Sequence, residues 1–568
     1  MATGRLRAAF IHAPAHGNGG ASISDRSFGS SLGAASVAAA LVEAGLCGAG
    51  DILALGIPDD CGPEEACRRI DAFSPDLVGL SLYCWNSPRL LRVARLLRGR
   101  GYKGSLVAGG PDAEGVAARE ADSGLFDAIF LGEAEKALVD WLEGGRKKPA
   151  GGALRCPPPA VDLLASPWLK GMMDPRPGDS AAWELTRGCP YHCAYCYEGR
   201  GSNRLRRIPM ARLEAEVEIF LAAGVGEVFV LDPTFNADQG RALEILRFLA
   251  RKAGDRISWN FEVRAELLSE AQARAFAALP CSLQIGLQSA DPGILAGIGR
   301  TMDKEKFVKN LRILDRHGIV YGLDLIYGLP GDSLAGFLRS LDFALSLGPN
   351  HLDIFGLSIL PGTELWDRRE ELGLVAGDEP PYALREHRQA SGGRGFSAAD
   401  MEEARGIAQA ADLFYSRGRA VPWFRSIAAA AKAKPSALIR GFSRFAMSAA
   451  PDARHRAIEE LQIAYVEGLF TLRKNGNRLS GLAKDMVRYF GAWSRAFAEG
   501  EKTILAMEYS PEALELAAAE GMEAAERMTT AAGLGGGSTG TGASPWRIEI
   551  GPSRKGPMVR VLKGGTGL

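Results

Sequence analysis

Cys189, Cys193 and Cys196 fall within one short segment, Glu184-Leu-Thr-Arg-Gly-Cys-Pro-Tyr-His-Cys-Ala-Tyr-Cys-Tyr-Glu-Gly-Arg200. The other six of the nine cysteines, Cys47, Cys61, Cys67, Cys84, Cys156 and Cys281, are scattered. The N-terminus, Met1-Ala-Thr-Gly-Arg-Leu-Arg7, has no apolar leader. With an odd number of cysteines, that predicts reduced thiols in the cytoplasm rather than a disulfide framework. Three thiolates spaced C-x3-C-x2-C can ligate three irons of a [4Fe–4S] cluster and leave the fourth open, which makes it a reactive centre rather than a structural one. Zinc would need a fourth ligand. His192 is the nearby candidate, but it sits between two of the thiols, where one ion would struggle to accept all four. Zinc and a chance grouping of cysteines stand as the alternatives.

Such a loop needs a scaffold, and the flanking pattern supplies one. Apolar strand patterns at 182–185, 227–231, 258–263, 282–287, 320–326 and 351–357 alternate with helical ones. Six strand–helix units predict a partial (β/α)6 barrel over 181–375, with its chemistry at the C-terminal strand ends. The cysteines follow the first of these strands. Residues 1–145 alternate as well, with five apolar runs near 7–13, 51–57, 76–82, 105–109 and 127–131. Single helices between them predict an α/β, doubly wound parallel sheet of the Rossmann or flavodoxin kind. Ligands of such sheets bind beyond the carboxyl ends of the strands. Here those ends carry Ser81, Gly109-Gly110 and Gly132-Glu133.

Residues 146–180 are rich in glycine and proline and read as a linker. Beyond 376 the strand signal fades, and amphipathic patterns at 398–417, 453–474, 481–498 and 511–531 predict a mostly helical domain over 376–531. Within it, 421–450 holds Arg425, Lys432, Lys434, Arg440 and Arg444 and no acidic residue. That is a solvated helix face or a surface for an anionic partner. Residues 532–568 read as a flexible Gly/Ser/Thr linker and a tail, with 546–562 either a last hairpin or poorly ordered.

The bulk numbers exclude other classes. The chain has 568 residues, 46% hydrophobic and 24% charged, with 67 basic and 67 acidic side chains. Those values fit a globular protein and exclude a disordered chain. The balanced charge gives no bias toward nucleic acid or an anionic membrane, and no run of 18 apolar residues predicts a membrane span.

With Tyr195 ahead of the last cysteine, the motif resembles that of the radical S-adenosylmethionine (SAM) enzymes. Leu283-Gln-Ile-Gly-Leu-Gln-Ser-Ala-Asp291 and Gly322-Leu-Asp-Leu-Ile-Tyr-Gly-Leu-Pro-Gly-Asp332 resemble the strand-four and strand-five motifs of its coproporphyrinogen-dehydrogenase-like subgroup. Ile359-Leu-Pro-Gly-Thr363 is similar to the turn after strand six. The resemblance implies a [4Fe–4S] cluster on Cys189, Cys193 and Cys196, with SAM chelated at the open iron and contacted by Tyr195, Gln288, Ser289 and Asp324. Many members carry Gly-Gly-Glu at the end of strand two, where this chain reads Leu231-Asp-Pro-Thr-Phe-Asn236. Asp232 is expected to accept the SAM ammonium instead. Glu262 and Arg264 on strand three are expected nearby, Arg264 as a bidentate grip on the carboxylate. The alternative for these three is a structural ion-pair network.

A five-stranded parallel domain ahead of such a barrel resembles the cobalamin-binding domain of cobalamin-dependent radical SAM enzymes. Ser81, Gly109, Gly110, Gly132 and Glu133 match the positions that hold the nucleotide tail there, the glycines letting the ligand approach the backbone. A cofactor-free Rossmann-like domain is the alternative. Methionine-synthase-type domains offer Asp-x-His-x-x-Gly after strand one; this chain has Pro14-Ala-His16-Gly-Asn-Gly19 and lacks the orienting Asp. Cobalt is therefore expected without His16 beneath it. Over residues 5 to about 530 the chain is similar to a bacterial branch with this domain order and a helical extension.

The resemblance implies an enzyme that cleaves SAM to a 5′-deoxyadenosyl radical and, with cobalamin, methylates an unactivated carbon of a small-molecule or peptide substrate. Its electron donor would be a flavodoxin or ferredoxin. Cyclisation, ring contraction or rearrangement without methyl transfer is the other enzymatic reading, and a non-catalytic cobalamin or SAM sensor is a third. Tyr195, Tyr197 and Tyr327 fall near the barrel mouth as acid–base candidates or as wall residues.

Overall fold

The computed structural model describes residues 5–13, 31–57, 62–198, 204–376, 390–448, 457–470, 476–531, 546–553 and 556–563. The first sheet contains β1 (Ala8–His12), β2 (Ile52–Gly56), β3 (Leu77–Ser81), β4 (Ser105–Gly109), β5 (Ala128–Gly132) and β6 (Ala153–Cys156). All its strand pairs are parallel, in the order β2-β1-β3-β4-β5-β6. Helices Leu32–Glu43 and Ala134–Glu143 cover one face, and Pro63–Phe73 and Ser87–Gly99 the other. Successive strand residues therefore feed two separate apolar layers, Phe10 and Phe130 in one, Ile11 and Ile129 in the other. The expectation of five strands falls one short. β6 comes from the segment read as a linker, and as an edge strand it tolerates the prolines that follow it.

The second sheet contains β7 (Ser180–Trp183), β10 (Glu227–Val230), β11 (Ser258–Val263), β12 (Cys281–Gln288), β13 (Val320–Tyr327) and β14 (His351–Gly356), with a two-residue antiparallel ladder, β8 (Thr186–Arg187) and β9 (Arg206–Arg207), at its mouth. The six long strands run parallel in chain order from β7 to β14, an open half-barrel. Helices Met210–Ala223, Gln239–Lys252, Lys304–Arg316 and Leu334–Ser346 pack outside it. Side chains of Asp238, Asp303 and Ser333 cap three of these helices by accepting a first-turn N–H, which fixes where each strand-end loop gives way to helix. Trp183, Trp259, Phe220 and Phe276 fill the layer between strands and helices. The alternate strand residues face the lumen.

The rest of the chain is mostly helical, with helices at Ala398–Ala411, Phe424–Ala430, Pro435–Ser448, Ile458–Phe470, Gly476–Ala498, Pro511–Glu520 and Met522–Ala531. β15 (Val375–Ala376) and β16 (Ala390–Gly392) form a short antiparallel pair. β17 (Thr503–Met507), β18 (Trp546–Gly551) and β19 (Met558–Lys563) form an antiparallel sheet. Part of the segment read as a tail is thus a hairpin on β17, with Ile548 and Ile550 fully buried. In the basic stretch, Arg440 and Arg444 both pair with Glu403, at 2.6 and 3.2 Å, so that face is partly neutralised by a neighbouring helix. Among the described residues no helix is long and apolar enough to cross a membrane.

Candidate active site between the sheet ends

The three thiols lie on a loop that the fold ties down from two sides. Ala194 donates its N–H to Ile298 O (3.0 Å) and accepts the N–H of Leu365 (2.9 Å), while Cys196 N–H closes a turn on Cys193 O (2.9 Å). Gly299 presses against the loop so closely that a Cβ there would lie 2.5 Å from His192 O. Cys189 is buried, and Cys193 and Cys196 are partly exposed. Burial, with smaller contributions from the neighbouring thiols, pushes the Cys196 thiol up to about 11 and Cys189 in the same direction. Thiols clustered in this way favour being neutralised by metal. His192 is exposed, and among the described residues no three His, Cys, Asp or Glu side chains converge on one ion.

Around the loop stand the residues expected at SAM. Arg264 is buried at the end of β11, its backbone exchanging hydrogen bonds with the Asn236 side chain at 2.9 and 3.0 Å. Its guanidinium stacks on the Tyr191 ring at 3.8 Å, beside the cysteine loop. Asp232 is wholly buried, and its Oδ1 accepts the N–H groups of Leu185 (2.8 Å) and Thr186 (3.1 Å). Desolvation pushes its carboxyl up to about 7. Asp232 thus anchors the start of the cysteine loop. Glu262 faces the lumen with no hydrogen-bond or ion-pair partner among the described residues; burial first, then the charges of Asp324 and Glu198, push it up to about 7.

Gln288 adopts φ +64°, in the left-handed region, and its buried Oε1 has no hydrogen-bond partner. A non-glycine residue held there is strained, and a buried acceptor without a donor is costly, which together mark a position built for a ligand. Ser289 is different. Its buried hydroxyl already meets Ser340 Oγ (3.3 Å) and accepts Asp291 N–H (3.1 Å), so it shapes the turn. Asp324 accepts the Gln284 amide and is pushed up to about 6 by burial. Tyr195 meets Arg300, whose Nη2 donates to Gly286 O at 2.6 Å.

The sequence reading missed Arg300, a half-buried cation beside the cysteine loop that belongs to no motif it used. It also missed the luminal His351 and Asp353. Strand parity with Asp324 through the register Asp324↔Asp353 would have found both.

The expected cobalamin positions open on the same space. A cavity of about 720 Å³ is lined from the first domain by Ser81, Gly109, Gly110, Gly132 and Glu133, and from the barrel mouth by Glu184, Gly188 and Tyr197. Two of the glycines serve the chain itself. Gly110 and Gly132 have φ of +106° and +109°, and a Cβ would collide with Leu82 O at the first and lie 2.9 Å from Cys156 O at the second. Gly109 is the informative one: a Cβ there meets nothing nearer than 3.8 Å, so its smallness leaves room in the cavity rather than serving the fold. A wall of small residues around a space this size fits a large planar cofactor.

Glu133 lines the cavity, but its carboxylate is taken by Arg187 (2.8 Å) and Arg206, both from the barrel. Arg187 also pairs with Glu135 (2.7 Å) and Glu184 (2.9 Å), so one buried guanidinium joins the first domain to the loop that begins at Gly188. His16 lies outside the described residues.

Residues 183–344 match the model of the Radical SAM superfamily, and residues 23–142 match that of the B12 binding domain. The chain is 28% identical over 355 residues to the cobalamin-dependent radical SAM methyltransferase TokK of Streptomyces tokunonensis, covering 55% of this chain and 51% of that protein. It is 30% identical to the 2-(S-pantetheinyl)-carbapenam-3-carboxylate methyltransferase of Streptantibioticus cattleyicolor, over 51% of this chain and 48% of that one. The chain thus spans about half the length of these two relatives. In fold it is similar to the radical SAM methyltransferase TsrM of Kitasatospora setae with cobalamin and a [4Fe–4S] cluster bound, with a TM-score of 0.54, 17% identity, and 86% and 99% of the two chains covered. The cobalamin-dependent SAM radical enzyme OxsB gives a TM-score of 0.53 at 13% identity, over 86% of this chain and 75% of that one.

Proposed function

The chain belongs to the cobalamin-dependent radical SAM enzymes, and from that premise we propose that it is a methyltransferase acting on an unactivated carbon of a small-molecule or peptide substrate. The observation that carries this reading is the shared cavity: the strand ends of the B12-binding domain and the start of the cysteine loop line one space. When bound, the cluster supplies the electron that cleaves SAM to a 5′-deoxyadenosyl radical, and cobalamin supplies the methyl group. Methyl transfer as the outcome is supported by the likeness to the two methyltransferases.

Cys189, Cys193 and Cys196 would hold the cluster and leave one iron for the SAM amino and carboxylate groups. Arg264, buried, and Arg300, half-buried, are cations beside the cysteine loop, and they would orient a carboxylate by charge-assisted hydrogen bonds. Gln288 Oε1 would accept a hydrogen bond from a SAM donor, and Asp324, which already accepts the Gln284 amide, would accept one from a SAM hydroxyl. Asp232 acts one step removed, by fixing the backbone that leads into the cysteines. On the cobalamin side, Ser81, Gly109 and the Gly132 backbone form the bed. Glu133 contributes through Arg187 and Arg206, holding the two walls of the cavity together. A one-electron donor of the flavodoxin or ferredoxin kind completes the requirement.

Anaerobic incubation of reconstituted protein with SAM, cobalamin and reductant tests this reading. It predicts both 5′-deoxyadenosine and S-adenosylhomocysteine, the second from methylation of cobalamin. 5′-Deoxyadenosine without S-adenosylhomocysteine would replace methyl transfer with rearrangement or cyclisation.

A further inference from the structure

One side chain of the loop after β10 reaches the cysteines directly. That loop, Leu231-Asp-Pro-Thr-Phe-Asn236, is held at both ends. At its start the Asp232 carboxylate accepts the N–H groups of Leu185 and Thr186, at 2.8 and 3.1 Å, on the segment that leads into the cysteines. At its end the Asn236 side chain exchanges hydrogen bonds with the Arg264 backbone at 2.9 and 3.0 Å. Asp232 and Asn236 are both buried, and Pro233 between them has its φ fixed by the ring. Thr234 is therefore set against the cysteine loop by bonds on either side of it, not by its own contacts.

Thr234 stands at the N-cap of the short turn Phe235–Ala237, where a threonine hydroxyl ordinarily accepts a backbone N–H. Here it makes no such bond. Its Oγ1 lies 3.9 Å from Cys189 Sγ and donates to the Pro233 carbonyl at 2.7 Å. Cys189 is the most buried of the three clustered thiols, and among the described residues no side-chain hydroxyl meets Cys193 or Cys196. A free thiol and a hydroxyl can share this contact with either as donor. A metal-bound thiolate cannot, because it has no proton and only accepts. The Thr234 hydroxyl then has one proton and two acceptors, a neutral carbonyl and an anionic sulfur, and charge-assisted bonds are roughly twice as strong as neutral ones. Turning the hydrogen from one to the other takes rotation about Cβ–Oγ1 alone, with the branched side chain left in its rotamer.

Resting on the radical SAM reading of this barrel, we propose that Thr234 donates a hydrogen bond to the Cys189 sulfur of the [4Fe–4S] cluster and raises the reduction potential of that cluster. The direction follows from charge. The flavodoxin- or ferredoxin-type donor passes one electron to the cluster, its sulfurs become more negative, and a donor aimed at one of them stabilises the reduced form more than the oxidised. No proton leaves the hydroxyl in this step. Asp232 and Asn236 act at one remove, as positioning residues that hold the loop at this distance.

The test is the midpoint potential of the cluster in the reconstituted full chain without SAM, read from the electron paramagnetic resonance of the reduced cluster in a series poised with titanium(III) citrate. Thr234→Val keeps the branched shape and removes the donor, whereas Thr234→Ser keeps the donor. The valine variant is expected to be about tenfold harder to reduce at a fixed potential, a midpoint about 59 mV lower for one electron, with the serine variant within about twofold of the unaltered protein. Iron content reports loading. If Thr234→Val takes up no cluster, Thr234→Ala, smaller than the native side chain, supplies the donor-free measurement. A loaded valine or alanine variant with the unaltered midpoint, or a serine variant that falls as far as valine, overturns the proposal. Failure of the unaltered protein to take up about four irons would instead overturn the radical SAM reading beneath it, so the two failures are told apart.

Discussion

The cysteine loop and the glycine-bearing loops of the first domain both sit at carboxyl ends of parallel strands, and they prepare for a cofactor in opposite ways. The first does so with donor atoms, three thiols strapped by backbone hydrogen bonds to Ile298 and Leu365. The second does so with shape, a wall in which Gly109 leaves space and Gly110 and Gly132 let the chain turn tightly against itself. Donor atoms at fixed spacing are written in the sequence. Shape is written only in part, because a Gly-Gly pair after a strand can serve the ligand or the fold, and here it serves both. Between the two regions stands Arg187, which bonds to Glu133 and Glu135 on one side and to Glu184 on the other. Through that bridge, a change in one region can reach the other.

Cys193→Ala addresses the thiol side. Iron loading and 5′-deoxyadenosine formation are expected to vanish while cobalamin binding stays within about twofold, since the cluster needs three thiolates and the first domain needs none. Metal analysis and product chromatography check it, and a variant that still forms 5′-deoxyadenosine removes the cluster from these cysteines.

Arg187→Gln should instead damage both regions together. It leaves Glu133, Glu135 and Glu184 facing one another with Arg206 as the remaining cation, and breaking a buried pair of this kind costs about 3–5 kcal/mol. Thermal unfolding should fall, and iron and cobalt occupancy should drop in step. Loss of one with the other intact would mean the bridge is not what joins them.

Gly109→Val is the milder, one-sided change. The fold has room for the Cβ, so stability is expected to hold while cobalamin affinity drops at least about tenfold with the cluster intact. Gly110→Val is a poorer probe, since its side chain would strike Leu82 whether or not a ligand is present.

The smallest effect concerns pH. Glu262 is raised to about 7 and Asp324 to about 6, mainly by burial, so both lose protons as pH rises from 5.5 to 8. Facing them are Asp324 and Glu198 for the first, and Gln284, Asp353 and Arg300 for the second. Binding of SAM, whose sulfonium is a cation throughout that range, should strengthen about three- to tenfold with rising pH. An unchanged affinity would place the sulfonium away from these two carboxylates.

The layered α/β organisation was legible because parallel strands buried on both faces read as continuous apolar runs, and the cysteine motif located the barrel mouth. β6 was missed because prolines mask an edge strand, and β17 because five residues between helices carry little periodic signal. At the site, Cys189, Cys193, Cys196, Gln288 and Asp324 could be named from local motifs. Arg300, His351 and Asp353 could not, because each matters through a neighbour on another strand. Glu133 shows the limit most clearly: its position at a strand end was readable, but its engagement by Arg187 and Arg206 is a fact of domain packing.

Whether the two domains serve two cofactors in one cavity is read most directly from the iron and cobalt content and visible spectrum of the full chain, reconstituted anaerobically with iron, sulfide and hydroxocobalamin. About four irons and about one cobalt per chain, with the absorption of both chromophores, are predicted. Four irons with no retained cobalt would contradict the account, leaving a radical SAM barrel whose first domain binds something else.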